Sequence, residues 1–151
     1  MRVAVFGLGY VGSVSAANFA ADGHDVIGVD VNPEKVAAVN AGHSPIVEPG
    51  LEDLLKAGVD ARRLRATTST AEAVSETDLS LICVGTPSRK NGSLDLSYLI
   101  RVCEQIGDAL KEKPDYHVVV VRSTVLPGTT HEHVIPTVSY THLTLPTIYS
   151  V

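Results

Sequence analysis

Three glycines, Gly7, Gly9 and Gly12, stand in the spacing G-x-G-x-x-G, and eighteen positions after the last of them an acid, Asp30, closes a short apolar run. Each position has a physical reason for its residue. Gly7 permits a tight turn, Gly9 has no side chain to keep a pyrophosphate off the backbone, and Gly12 lets a helix and a sheet approach closely. Free N–H groups at the start of that helix, together with the positive end of its dipole, then hold phosphates without a basic patch. Asp30 is placed to accept both hydroxyls of an adenosine ribose while its charge repels a 2′-phosphate, which predicts NAD rather than NADP. Lys35, five residues further on, either reaches the ribose or phosphates or is a solvated surface lysine. A turn that serves structure alone is the competing reading of the glycines. A strand, turn, helix, strand and terminal acid in one unit weigh against it.

Two further loops follow strand-like runs: Cys83-Val84-Gly85-Thr86-Pro87 and Arg122-Ser123-Thr124-Val125-Leu126-Pro127-Gly128. In an open parallel sheet, ligands bind beyond the carboxyl ends of the strands, so both loops are expected to face the nicotinamide half of the cofactor, with Thr86 and Thr124 as the hydroxyls that meet it. The equal alternative is that Thr86 only caps a turn and Thr124 only caps the next helix. Cys83 inside an apolar strand and Cys103 on the apolar face of a helix read as inert, reduced thiols, not nucleophiles. His131 and His133 are two apart, do not share a helix face and lack a third ligand, so no metal site is expected. His24, His43 and His117 stand alone in the sequence. Glu48, in a Pro-rich loop, points towards a substrate or favours the start of the following helix.

The elements that must position these residues alternate between short apolar runs and helical periods. Strands are expected at residues 2–6, 26–29, 66–68, 79–84 and 117–121, the last apolar throughout, as a strand covered on both faces must be. The first helix follows the glycine turn, with Val11, Val14, Ala17, Asn18 and Ala21 at helical spacing, and is stopped by Gly23. Further helices are expected at residues 34–41, 51–57, 70–76 and 97–113, the last with Leu99, Val102, Cys103, Ile106 and Leu110 on one face. Residues 85–96 form a loop around the turn pair Asn91-Gly92. The pattern is that of an α/β fold with a doubly wound parallel sheet of the Rossmann type, truncated after about five of six strands.

At 151 residues, 44% hydrophobic and 19% charged, the chain has the material for one domain with a folded core. Twelve basic against 17 acidic residues leave a net charge of -5, which argues against gripping nucleic acid or an anionic membrane through bulk electrostatics. The N-terminus has neither the apolar length nor the cleavage site of a signal peptide, and no stretch has the apolar length of a membrane span, so a cytoplasmic location is expected.

Residues 138–151 differ from the rest, with neither a clear period nor caps. The string VSYTHLTLPT results from translating GTC TCT TAT ACA CAT CTG ACG CTG CCG ACG, which resembles a transposon-end adapter used in sequencing libraries. The expected division is therefore an incomplete dinucleotide-binding domain over residues 1–137 and a non-native read-through tail over 138–151. Recovery of the same codons from genomic DNA overturns it.

Five strings, MRVAVFGLGYVG, GHDVIGVDVNPEKV, GHSPIVEPGLEDLL, LICVGTPSRKNGSLDLSYL and VVVRSTVLPGTT, resemble in this order the start of the UDP-glucose/GDP-mannose dehydrogenase family. SPIVEPGL and KNGSLDL are most similar to its GDP-mannose 6-dehydrogenase branch. The resemblance implies a parent enzyme that oxidises the C6 hydroxyl of GDP-mannose or UDP-glucose to the uronate in two NAD-dependent steps. It implies that Tyr10 and Val11 contact the cofactor at the glycine turn, Asp30 and Lys35 on its adenosine side, and Thr86 and Thr124 on its nicotinamide side. Thr124 would also lie near the catalytic water in a supporting role. The family's catalytic cysteine, with an assisting lysine, asparagine and glutamates, is implied to lie downstream, since neither Cys83 nor Cys103 matches its motif. On that reading this chain binds NAD without catalysing the reaction, the nucleotide sugar is met by missing domains, and the parent is a homo-oligomer with no nucleic-acid or membrane partner. Two alternatives remain open: a non-enzymatic NAD-sensing regulatory module, and another NAD-dependent dehydrogenase acting on hydroxyacids or acyl thioesters.

Overall fold

The computed structural model describes residues 1–139, and in them the alternation becomes one five-stranded sheet. Strands β1 (Arg2–Phe6), β2 (Asp25–Val29), β3 (Leu64–Thr67), β4 (Leu79–Ile82) and β5 (Val118–Val121) lie in the order β3-β2-β1-β4-β5, every pair parallel. The chain winds outward from β1 first to one side and then to the other, so a topological switch point lies over the carboxyl end of β1. Helices α1 (Tyr10–Ala21), α2 (Pro33–Asn40), α3 (Leu51–Asp60), α4 (Thr70–Glu76) and α5 (Ser97–Lys111) make the crossovers. A π-helical turn, Thr130–Val134, runs directly into α6 (Ile135–Ser139).

Strand alternation divides the core in two. Ala4, Phe6, Ile27, Val29 and Ile82 face α4, α5 and α6, meeting Val74, Leu99, Cys103, Ile106 and Val134. Val3, Val5, Val26, Leu64 and Ala66 face the other way, against Ala16, Ala17 and Ala20 of α1, Val39 of α2 and Leu55 of α3. The apolar face expected for α5 is the one it buries, with Val102 at its margin.

Several expectations shift, each for a physical reason. The buried positions of α1 are Gly12, Ser13, Ser15, Ala16, Ala17 and Ala20, whereas Val11, Asn18 and Ala21 are exposed. The helix lies so close to the sheet that small residues, not the largest apolar ones, select the inner face. α3 runs beyond Ala57 to Asp60 because Gly58 lies against Ala20 and Leu64, where a side chain would crowd both. β3 begins two residues earlier than expected, and its outer edge is closed by Asn40. The Asn40 amide donates to Ala66 O (2.9 Å) and accepts from Ala66 N (2.7 Å), standing in for a neighbouring strand. β4 ends at Ile82, where its register with β5 stops.

β5 departs furthest from expectation. Val119 and Val121 pack against the α5–α6 layer, but Val118 and Val120 belong to neither core cluster, and all four valines are only half-buried. Among the described residues β5 is an edge strand covered on one face, not both. His117 precedes it and is buried. Val138 and Ser139, the first two residues of the segment read as a tail, lie in α6, with Val138 fully buried. The rest of the segment read as a tail, residues 140–151, lies outside the described residues.

Candidate functional site

Two of the three glycines in the turn are required by what a side chain would collide with. Gly7 N donates to Val29 O (2.8 Å), and its φ of 95° turns the chain off β1. A Cβ there would sit 3.0 Å from Cys83 O, and one on Gly12 would sit 1.7 Å from Gly7 O. Gly9 differs: a Cβ on it would meet nothing within 4 Å. It occupies the N-cap of α1, where no side chain caps the first turn. An uncapped helix start beside open space is a cradle for an anion. Tyr10 and Val11, expected at this turn, are both exposed on it.

Asp30 follows β2 and its carboxylate is fixed from two sides. Oδ2 accepts from Leu8 N (2.7 Å) within the glycine turn, and Oδ1 accepts from Asn32 N (2.9 Å). Each oxygen keeps further acceptor capacity for a hydroxyl. Lys35 is no freely solvated lysine: its Nζ lies 3.8 Å from Asp30 Oδ2. The acid is thus tied to the glycine turn, with a cation beside it.

Thr86 and Thr124 come together at the ends of β4 and β5, where the Thr86 hydroxyl donates to Thr124 O at 2.5 Å. With its hydrogen committed, Thr86 Oγ1 presents only lone pairs to a ligand. Thr86 bridges two loops, and Thr129, not Thr124, precedes the next helical segment.

A cleft of about 300 Å³ opens over the carboxyl ends of β1, β2 and β4, and it brings Gly7, Gly9, Asp30 and Lys35 together with Val84 and Gly85. Thr86 and Thr124 lie outside it. Its far wall was not foreseen from sequence: Tyr98, Arg101, Val102 and Gln105 of α5, with Thr68 and Thr70 from the segment joining β3 to α4. Positions 98, 101, 102 and 105 have helical spacing and flank the apolar stripe of α5, which was the available signal.

The remaining candidates sort by environment. Burial pushes the Cys83 thiol up to about 11 and the Cys103 thiol up to about 12, so neither is a thiolate near neutral pH. Glu48 hydrogen-bonds the Tyr10 phenol and holds its pKa above the usual value, while its main-chain oxygen accepts from Leu51 N (3.2 Å) at the start of α3. The histidines read as isolated each have a neighbour: His24 the N-terminal amine (3.5 Å), His43 Glu52 (3.1 Å), and His117 both Ser80 and Thr77. No cluster of His, Cys, Asp or Glu suited to a metal ion occurs among the described residues, His131 and His133 included. Nor is any helix among them long and apolar enough to cross a membrane.

Comparison with known proteins agrees with this geometry. A model described as the UDP-glucose/GDP-mannose dehydrogenase family, NAD binding domain, matches residues 1–145. The GDP-mannose 6-dehydrogenase of Pseudomonas savastanoi pv. phaseolicola is 57% identical over 136 residues, which are 90% of this chain and 31% of that protein. The UDP-glucose 6-dehydrogenase of Haloferax volcanii is 43% identical over 130 residues, 86% of this chain and 30% of that one. A crystal structure of a ternary complex of GDP-mannose dehydrogenase from Pseudomonas aeruginosa superposes with a TM-score of 0.92 at 56% identity, covering 93% of this chain and 32% of the other. The chain thus spans about a third of the length of the relatives it matches.

Proposed function

Because the chain belongs to the UDP-glucose/GDP-mannose dehydrogenase family and carries its NAD-binding domain, we propose that it is the cofactor-binding portion of a nucleotide-sugar 6-dehydrogenase. The whole protein would oxidise the C6 hydroxyl of GDP-mannose, or of UDP-glucose, to the uronate in two steps. When bound, NAD supplies the hydride acceptor for each oxidation. The residues of this chain bind and orient. The uncapped start of α1 at Gly9, with Tyr10 and Val11, holds the pyrophosphate. Asp30 accepts the adenosine ribose hydroxyls, and Lys35 lies beside it. Thr86 and Thr124 meet the nicotinamide half, where the acceptor-only Thr86 oxygen suits an amide N–H. The two described cysteines are too poorly ionised to serve as a covalent nucleophile, which supports placing that group elsewhere in the parent protein. On this reading the present chain, residues 1–137 of it above all, binds NAD without turning over the sugar nucleotide. The parent meets that substrate through its other domains and works as a cytoplasmic homo-oligomer.

The observation that carries the proposal is the pairing of an open Gly9 with an Asp30 already anchored to the same turn. The relatives, which are dehydrogenases, support that reading over a regulatory module, and the GDP-mannose and UDP-glucose enzymes among them support nucleotide sugars over hydroxyacids. Calorimetric titration tests the cofactor assignment. The chain should prefer NAD to NADP, and Asp30→Asn, which keeps the shape and removes the charge, should narrow that preference about tenfold. A chain that prefers NADP, or binds neither, refutes it.

A further inference from the structure

Beyond the last paired residues of β4 and β5, the two strands remain joined by side chains. The main-chain ladder gives its final bond at Arg122 N to Ile82 O (2.8 Å). The next bond comes from a side chain, Ser123 Oγ donating to Val84 O at 2.7 Å. The one after it runs the opposite way, Thr86 Oγ1 donating to Thr124 O at 2.5 Å. Ser123 thus fastens the β5 loop to the β4 loop one step before the two threonines meet. Arg122 anchors the same loop on its other side. Its guanidinium donates to Ser15 Oγ (2.6 Å), whose own hydrogen goes to Val11 O (2.7 Å) in the first turn of α1. The loop that bears Thr124 is therefore held against both the β4 loop and the helix that starts at the glycine turn.

We propose that Ser123 is a positioning residue for the nicotinamide side of the site, acting through Val84 to keep Thr86 and Thr124 in register with each other. This rests on the cofactor reading above and adds to it a residue that touches no ligand. Without the hydroxyl, the Val84 carbonyl loses its donor and the Thr86–Thr124 bond alone joins the two loop tips, so their register loosens, while the glycine turn and Asp30, which take no bond from Ser123, stay in place. The consequence is confined to one half of the cofactor.

The test compares two ligands on the full 151-residue chain. NADH reaches both halves of the site, whereas ADP-ribose carries only the adenosine and pyrophosphate part. Titrated by calorimetry, Ser123→Ala should weaken NADH about fivefold and leave ADP-ribose within about twofold, the scale of one hydrogen bond. Ser123→Thr keeps a hydroxyl and should restore NADH affinity. Equal weakening of both ligands marks a role in folding alone and overturns the proposal, as does an unchanged affinity for both. If the unsubstituted chain binds no ADP-ribose, the cofactor reading itself fails and takes this proposal with it.

Discussion

At Gly9 and Gly12 the same residue type has two different causes, and a methyl group separates them. On Gly12 a Cβ would lie 1.7 Å from Gly7 O, inside any tolerable contact, so Gly12→Ala must push α1 off the turn. A stability loss of about 3 kcal/mol or more is expected, read as a lower denaturant midpoint. On Gly9 the same methyl meets no protein atom and the φ of -80° suits alanine, so Gly9→Ala should cost under about 1 kcal/mol. It should nevertheless reduce NAD affinity about tenfold or more, since the methyl fills the place left for phosphate. A Gly9→Ala chain that binds NAD normally would show that the open space serves nothing. The close packing at Gly12, the open space at Gly9 and the nearness of Asp30 to the turn were legible in the sequence because a glycine turn is encoded within a few consecutive residues. Arg101 and Gln105 of the cleft wall were not, because the residues that share the cleft with them lie at the ends of β1 and β2 and only the crossover of α5 brings the helix there.

The elements are tied at the amino end of the sheet by a histidine, and this tie is pH-dependent. His117 is buried between the end of α4 and β4: its Nδ1 hydrogen goes to Thr77 O (3.1 Å) and its Nε2 accepts from the Ser80 hydroxyl (2.8 Å). Lys113 donates to the same Thr77 oxygen and to Val74 O (2.8 Å). Burial first, and the Lys113 charge second, push the imidazole pKa down to about 4 from 6.5. The unfolded chain therefore takes up a proton that the folded chain refuses. Stability from the neutral ring is complete above pH 6.5 and is lost as the pH falls towards 4, on the order of 3 kcal/mol in all. Urea unfolding across that window should show the slope, and His117→Gln should flatten it. An unchanged slope in the variant would assign the pH dependence to other groups. From sequence His117 reads as the first residue of an apolar strand, and neither of its partners is near it in the chain. The same limit explains the other shifts: strand and helix order follows from local periodicity, but the inner face of α1 and the ends of α3 and β3 are set by what packs on them.

For the molecule as a whole, the unequal treatment of the two sheet edges has a consequence in solution. The β3 edge is closed by the Asn40 amide, which takes the place of a strand neighbour at Ala66. The β5 edge has no such device among the described residues. Its four residues are all valine and half-exposed, with Val118 and Val120 outside both core clusters. An apolar β-branched strand with an open edge is a template for pairing with another chain. A net charge of -5 opposes association only weakly at physiological salt, where charges more than about 8 Å apart are screened. The 151-residue chain should therefore self-associate as its concentration rises, seen in sedimentation velocity as a growing fast component. Val120→Lys places a charge on the uncovered face of that strand and should return the chain to a monomer while leaving ADP-ribose affinity unchanged, because the cleft lies across β4 from it. A chain that stays monomeric throughout would mean that this edge is covered in solution. Association that survives Val120→Lys would move the contact elsewhere on the surface.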